Sequence, residues 1–336
     1  MRFIETNDSR PIMVMMIGLP ASGKSTEAEK ICKLYPGMHY QIHSSDALRS
    51  ELYGDESKQG DNDALFKELH RRIFSDLNSG KNVIYDATNL NKKRRIQFVK
   101  EAWKTGAICR AVLCALPFEM CLERNAKRER VVPVDAMERM YRSFQPPHVD
   151  EGFDEVIIMY DGNYDYYYIY DGYELEPSYE IAMKVEQETK FHTLNVYDHC
   201  KAAAEYIHDY FIRNDRTLAY PFNFDTMFVA AWLHDCGKPK TKTKLNKKGE
   251  DDGNCHYYNH ESVGAYDSLF WSKGFWIDEF SPETRRNFIL NVSNLIFFHM
   301  MPFQWDGREN VTKPAYMSER MFEGVKLLHE ADKAAH

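Results

Sequence analysis

The stretch "FVAAWLHDCGKPKT" runs an apolar helical pattern, Phe228 to Leu233, directly into His234 and Asp235. A carboxylate at the negative end of a helix dipole is unfavourable by a few tenths to about 1 kcal/mol when exposed, and burial adds to the cost. A bound cation removes the penalty, so further ligands must come from elsewhere in the chain. Candidates stand at the ends of other apolar segments: His192 and His199 in "FHTLNVYDHC", His256 and His260 in "HYYNHESVGA", His299 in "NLIFFHMMPF" and Asp332 in "LLHEADKAA". Imidazole and carboxylate without thiolate suit Mn2+, Fe2+, Ni2+, Co2+, Zn2+ or Mg2+ in a site that keeps water positions open. Water on such a metal is acidified toward neutrality and can attack phosphorus.

A second constellation, "GLPASGKS" (18–25), satisfies G-x-x-x-x-G-K-[ST] between an apolar strand and a helical pattern, the context that motif requires. The nucleotide-binding stretch comprises Gly18, Pro20, Ala21, Ser22, Gly23, Lys24, Ser25 and Thr26. Gly18 and Gly23 let backbone amides curl round a phosphate, Lys24 reaches the outer phosphates, and Ser25 ligates Mg2+. The expected ligand is ATP, or another nucleoside triphosphate, with Mg2+. Downstream, "SSDALRSELYG" puts Asp46 and Arg49 on one helix face. That pair offers a base for an attacking hydroxyl and a holder for an anionic group of the acceptor; it is also compatible with an N-cap Asp and a surface Arg. Asp86, in "VIYDATNLNKKRR", is placed for a Mg2+-linked or acceptor-orienting acid, and Asn89 follows it in the acceptor set. Arg124 and Arg128 in "ERNAKRERVVP" are spaced i, i+4, suited to closing over the phosphates.

The elements that must position these residues fall into two groups. "IMVMMIG" (12–18), "HYQIHSS" (39–45), "NVIYDA" (82–87) and "AICRAVLCAL" (107–116) read as strands, with amphipathic helices such as 64–80 between them, which predicts a parallel sheet wrapped by helices. Residues 156–185 hold two Asp-Gly steps and a run of tyrosines, a hairpin signal, and read as a β-ribbon connector. Helical patterns dominate from 186 onward. The expected domains are therefore 1–155, 156–185 and 186–336.

A net charge of −8 argues against indiscriminate coating of nucleic acid, although "NKKRR" (91–95), "RNAKRER" (124–130) and six lysines between Lys238 and Lys248 form local basic runs, which taken alone read as solvated faces. No apolar run approaches the roughly 18 residues of a membrane helix. Seven dispersed cysteines with no CxxC pair read as reduced thiols in a cytoplasm.

In their order, "GLPASGKS", "SDALR", "DATNLNKKRR" and "RNAKRERVVP" resemble the phage-type polynucleotide 5′-kinase family over residues 10–155. The resemblance implies an α/β P-loop kinase domain in which Lys24 and Ser25 bind the donor and Mg2+. Asp46 would be the general base on a 5′-hydroxyl, Arg49 would hold the neighbouring 3′-phosphate, and Arg124 and Arg128 would form the lid. The order H…HD…H…H…D resembles the HD phosphohydrolase superfamily over residues 190–336, and within it the HD domain of bacterial CCA-adding tRNA nucleotidyltransferases, through "LHDCGKPKT", "HESVGA" and "LIFFHM". That implies an all-helical domain with His199, His234, Asp235 and Asp332 as metal ligands. His260 and His299 would complete a second metal position or bind phosphate, and Lys238 would face the substrate. His192 competes with His199 for the place of first ligand.

Together these resemblances imply a bifunctional end-healing enzyme, with RNA or DNA ends (single-stranded or nicked) as substrates. An RNA ligase acting downstream is the expected partner, and a bacterial or phage-infected cytoplasm the expected compartment. Two alternatives share the same motifs. One is a small-molecule nucleoside or nucleotide kinase fused to an HD nucleotidase. The other treats the HD half as a nucleotide-sensing module that regulates the kinase.

Overall fold

The computed structural model describes residues 8–55, 60–161, 182–188, 193–214, 221–271, 281–305 and 313–335. They divide into two compact units: residues up to 140 with 147–161, and residues 141–146 with the described residues from 182 onward.

In the first unit, strands and helices alternate. They are β1 (Ile12–Ile17), α1 (Lys24–Leu34), β2 (Gln41–Ser44), α2 (Ser45–Tyr53), α3 (Asn62–Asn78), β3 (Val83–Asp86), α4 (Lys92–Trp103), β4 (Ile108–Ala115), α5 (Phe118–Ala126), α6 (Val134–Tyr141) and β5 (Glu155–Tyr160). The five strands form one sheet in the order β2-β3-β1-β4-β5, every neighbouring pair parallel. Every residue of β1 is fully buried, as a central strand covered on both faces requires. The register sets Met16 of β1 opposite Asp86 of β3. The loop after β1 and the end of β3 therefore lie side by side at the carboxyl edge of the sheet, where open α/β sheets bind ligands.

Two expectations change here. Residues 156–160, read from sequence as the start of a β-ribbon, are β5, paired in parallel with β4; an apolar "VIIMY" adds to a buried sheet before it forms a free hairpin. The rest of the tyrosine run, 162–181, lies outside the described residues. The basic run 91–95 is not a solvated face throughout, because Lys92 and Arg95 are buried. Arg95 donates to both Glu151 carboxylate oxygens at 2.7 and 2.8 Å, and Lys92 stands 3.1 Å from Glu151. Arg95 also donates to the carbonyls of Asn89 and Leu90 at 2.9 and 3.0 Å, fixing the loop after β3.

The second unit is helical: α7 (Val196–Asn214), α8 (Phe224–Leu233), the single turn α9 (Lys238–Thr241), α10 (His260–Trp271), α11 (Pro282–Phe298) and α12 (Glu319–Ala334). Its core joins Ala203, Ile207 and Phe211 of α7 to Met227 of α8, Leu295 of α11, and Val325 and Leu328 of α12. One antiparallel hairpin, β6 (Thr243–Leu245) with β7 (Asp251–His256), interrupts the helices. All seven cysteines are free thiols. Among the described residues, no helix is long and apolar enough to cross a membrane.

Candidate functional site

At the carboxyl edge of the sheet, residues 18–23 form the loop between β1 and α1. Gly18 is required there: a Cβ would lie 2.6 Å from Ser22 Oγ and 2.7 Å from the Cys114 carbonyl. Gly23, at φ 94°, caps α1 in the left-handed region that only glycine adopts freely. Lys24 is buried and donates to the Leu19 carbonyl at 2.7 Å. Burial pushes its ammonium below the ordinary lysine range, and the carboxylates of Asp86 and Asp46 act against that shift. Ser25 Oγ donates to Asp86 Oδ2 at 2.7 Å, bringing the hydroxyl expected on Mg2+ to the acid expected to be Mg2+-linked or acceptor-orienting. Hydroxyl and carboxylate oxygens suit this hard cation, which binds a nucleotide through few protein ligands.

Asp46 lies in the first turn of α2, where the helix dipole favours a carboxylate. Its Oδ1 meets Nη1 of Arg49 at 3.0 Å and Nη1 of Arg130 at 3.0 Å, and its side chain is 45% exposed, open to an incoming group. Arg49 also donates to Asn62 Oδ1 at 3.1 Å. Arg124 pairs with Asp161, and Arg128 is exposed. Arg130, which spacing alone did not single out, takes the place beside Asp46. The buried Asn125 amide clasps this loop, donating to the Val132 carbonyl at 2.8 Å and accepting from the Val132 N–H at 2.9 Å. Asn89, expected among the acceptor residues, has its amide nitrogen on the Met16 carbonyl at 2.8 Å, supporting the end of β1.

In the second unit, His199 (α7), His234 and Asp235 (after α8), His260 (first residue of α10), His299 (after α11) and Asp332 (α12) converge, all of them buried. Close packing of the turn that follows Asp235 makes this possible. A Cβ on Gly237 would lie 2.1 Å from the His260 carbonyl and 2.6 Å from the Gly264 nitrogen, so only glycine lets the turn dock on α10. Asp235 serves two groups at once. Its Oδ2 is 3.5 Å from Nε2 of both His199 and His234, and its Oδ1 is 3.2 Å from His260 Nε2 and 3.6 Å from His299 Nε2. Asp332 Oδ1 completes the first group, 3.0 Å from His199 Nε2 and 3.6 Å from His234 Nε2.

The tautomers follow from the other ring nitrogens. Nδ1 of His234, His260 and His299 faces the carbonyls of Ala231, Tyr257 and Ile296 at 2.7, 2.7 and 2.6 Å. A carbonyl only accepts, so Nδ1 carries the proton and Nε2 presents a lone pair, the arrangement that orients metal-binding histidines. For neutral rings, lone pairs then face each other at 3.2 Å between His260 and His299, which a cation between them would relieve; His199 Nε2 stands 3.2 Å from His234 Nε2 and 3.0 Å from Asp332 Oδ1. The same demand shows in the titrating groups. Burial alone would raise Asp235, yet Lys238 and His234 hold its carboxyl far below the ordinary range. Burial opposes charge on His234, yet Asp235 raises it well above the ordinary histidine value. The donor sets His199/His234/Asp235 and Asp235/His260/His299 each fit a divalent ion.

Lys238, expected to face the substrate, is buried, with Nζ 2.5 Å from Asp235 Oδ2 and 2.7 Å from Gln187 Oε1. Gln187, also buried, has no local sequence signal, because its partner is 51 residues away. His256 stands apart on the hairpin, 3.0 Å from Asp252. His192 lies outside the described residues.

Residues 13–147 match the AAA domain family and residues 191–334 the HD domain family. The chain is similar to "Transcription factor bHLH140" of Arabidopsis thaliana, 28% identical over 47% of this chain and 17% of that protein. It is also similar to "L-seryl-tRNA(Sec) kinase" of Methanococcus maripaludis, 25% identical over 43% of this chain and 56% of that protein. Among solved structures, a chain of "Structure of the Pnkp1/Rnl/Hen1 RNA repair complex" shares 22% identity at a TM-score of 0.38, covering 45% of this chain and 48% of that one. The chain thus spans between about a sixth and just over half the length of these relatives. It joins an N-terminal AAA-type P-loop domain to a C-terminal helical HD domain.

Proposed function

We propose that the chain heals nucleic-acid ends: the P-loop site phosphorylates 5′-hydroxyl termini from ATP, and the HD site removes a 3′-terminal or 2′,3′-cyclic phosphate. The observation that carries this reading is the open Asp46 carboxylate beside the phosphate loop, flanked by arginines. A base for a hydroxyl next to holders for a phosphate suits a nucleotide acceptor better than a plain alcohol.

In the first reaction the 5′-oxygen forms a bond to the γ-phosphorus while the bond from that phosphorus to the β,γ-bridging oxygen breaks. The hydroxyl proton passes to Asp46, and ADP leaves. Lys24 neutralises charge on the transferring group, and Ser25 with Asp86 would hold Mg2+ on the phosphates. In the second reaction one water is consumed for each phosphate ester bond broken. His199, His234, Asp235, Asp332, His260 and His299 would hold one or two divalent ions, which when bound acidify water and polarise phosphoryl oxygens. Lys238, drawn from Asp235 by a ligand, would donate to a phosphate oxygen. An RNA ligase would then find joinable ends.

The test is a 5′-hydroxyl oligoribonucleotide ending in a 2′,3′-cyclic phosphate, incubated with ATP, Mg2+ and Mn2+, Ni2+ or Co2+, with both product ends mapped. A 5′-phosphate with a cleared 3′ end is expected. Transfer only to free nucleosides or nucleotides, with the oligonucleotide untouched, overturns the reading in favour of nucleotide metabolism.

A further inference from the structure

We infer that Arg130 determines acceptor specificity: with Arg49 it forms a two-guanidinium clamp for the phosphate on the 3′ side of the nucleotide whose 5′-hydroxyl is phosphorylated. This rests on the acceptor reading of Asp46 and names a residue that reading does not contain.

Three observations carry it. Arg49 and Arg130 each place Nη1 3.0 Å from the same oxygen, Asp46 Oδ1, so both guanidiniums already converge on one anionic oxygen. Their side chains are 14% and 25% exposed and that of Asp46 is 45% exposed, so an incoming phosphate can reach all three. Neither arginine is loosely held: Arg49 is braced by Asn62, and the loop bearing Arg130 is closed by the buried Asn125–Val132 clasp. Arg124, on α5, is engaged by Asp161, and on the loop that follows it is Arg130 that meets Asp46.

The chemistry follows from counting donors. While both guanidiniums donate to Oδ1, that oxygen is occupied as an acceptor. A phosphate offers several oxygens and more charge, and charge-assisted bonds to it outcompete those to a single carboxylate oxygen. A 3′-phosphorylated acceptor would draw both arginines across and free Oδ1 to take the hydroxyl proton. A nucleoside without that phosphate leaves them on Asp46. The clamp therefore selects nucleoside 3′-phosphates and polynucleotide ends over nucleosides.

The experiment uses the full chain and compares a nucleoside 3′-monophosphate with the same nucleoside as acceptor, at varied acceptor and varied ATP. Arg130→Ala should raise the KM for the 3′-monophosphate about tenfold or more, the loss of one charge-assisted contact. The KM for ATP should stay within about twofold, and the preference for the 3′-phosphate should shrink in proportion. Arg130→Lys should recover part of the loss, and an unchanged unfolding midpoint separates either effect from misfolding. An unmoved acceptor preference overturns the clamp alone. So does an equal fall in kcat for both acceptors with a raised KM for ATP, which would assign Arg130 to the donor. A wild-type chain that phosphorylates neither acceptor overturns the acceptor reading and the clamp together.

Discussion

Asp235 Oδ1 lies 3.2 Å from His260 Nε2, while the other oxygen of the same carboxylate faces His199 and His234. A bridging carboxylate of this kind predicts two metal ions for each chain. Mn2+-loaded protein should carry two ions by elemental mass spectrometry, His260→Ala one, and Asp235→Asn fewer than one. A His260→Ala variant that keeps both ions would contradict the bridge.

Gly237 has no room for a methyl group. Gly237→Ala should cost about 2–4 kcal/mol of folding stability, because backbone atoms 2.1 and 2.6 Å away must move. The same shift pulls His260 from Asp235, so denaturant unfolding and metal content should fall together. A variant with wild-type stability would mean the turn docks less closely.

Glu151 sits between two buried cations. Glu151→Ala leaves Arg95 and Lys92 without it, and removing one partner of a buried pair costs about 3–5 kcal/mol. The unfolding free energy from urea titration checks this. A loss under about 1 kcal/mol would place the pair in the class of exposed ion pairs.

His70 gives stability a pH dependence of known sign. Its ring lies 4.8 Å from Phe98 and 5.5 Å from Tyr85 by centroids, and burial pushes its pKa down from 6.5 to about 4. The unfolded chain therefore binds a proton below pH 6.5 that the folded chain does not accept until about pH 4. Stability from this group is full above 6.5 and is lost as pH falls through that window, by at most about 1.4 kcal/mol per pH unit and less for a half-buried ring. The unfolding free energy of wild type should fall more steeply between pH 7 and 4.5 than that of His70→Phe. Parallel curves would contradict the assignment.

What the sequence made legible depended on how locally each feature is written. The phosphate loop and the strand before it are contiguous, and "HDCGK" with "HESVGA" carry both the ligands and the two glycines that let the segments touch. The histidine–aspartate cluster could therefore be assembled from residues up to 133 positions apart, such as His199 and Asp332. Features decided by distant pairing were not legible. Lys92 and Arg95 look like a solvated basic run until Glu151, 56 residues beyond Arg95, neutralises them. Helical spacing favoured Arg124 and Arg128, but α5 ends at Ala126. Beyond that point reach is set by the Asn125 clasp, which brings Arg130 to Asp46. Gln187 is hidden for the same reason: it meets Lys238, 51 residues away.

The proposed function gives one chain two separable reactions on nucleic-acid ends. The most direct measurement takes wild type, Asp46→Asn and Asp235→Asn, each given a 5′-hydroxyl, 2′,3′-cyclic-phosphate oligoribonucleotide with ATP, Mg2+ and Mn2+, and maps both ends. Asp46→Asn should leave the 5′-hydroxyl and clear the 3′ end, and Asp235→Asn should phosphorylate the 5′ end and leave the 3′ end blocked. Loss of both reactions from either substitution, or of neither, would contradict the assignment of the two sites.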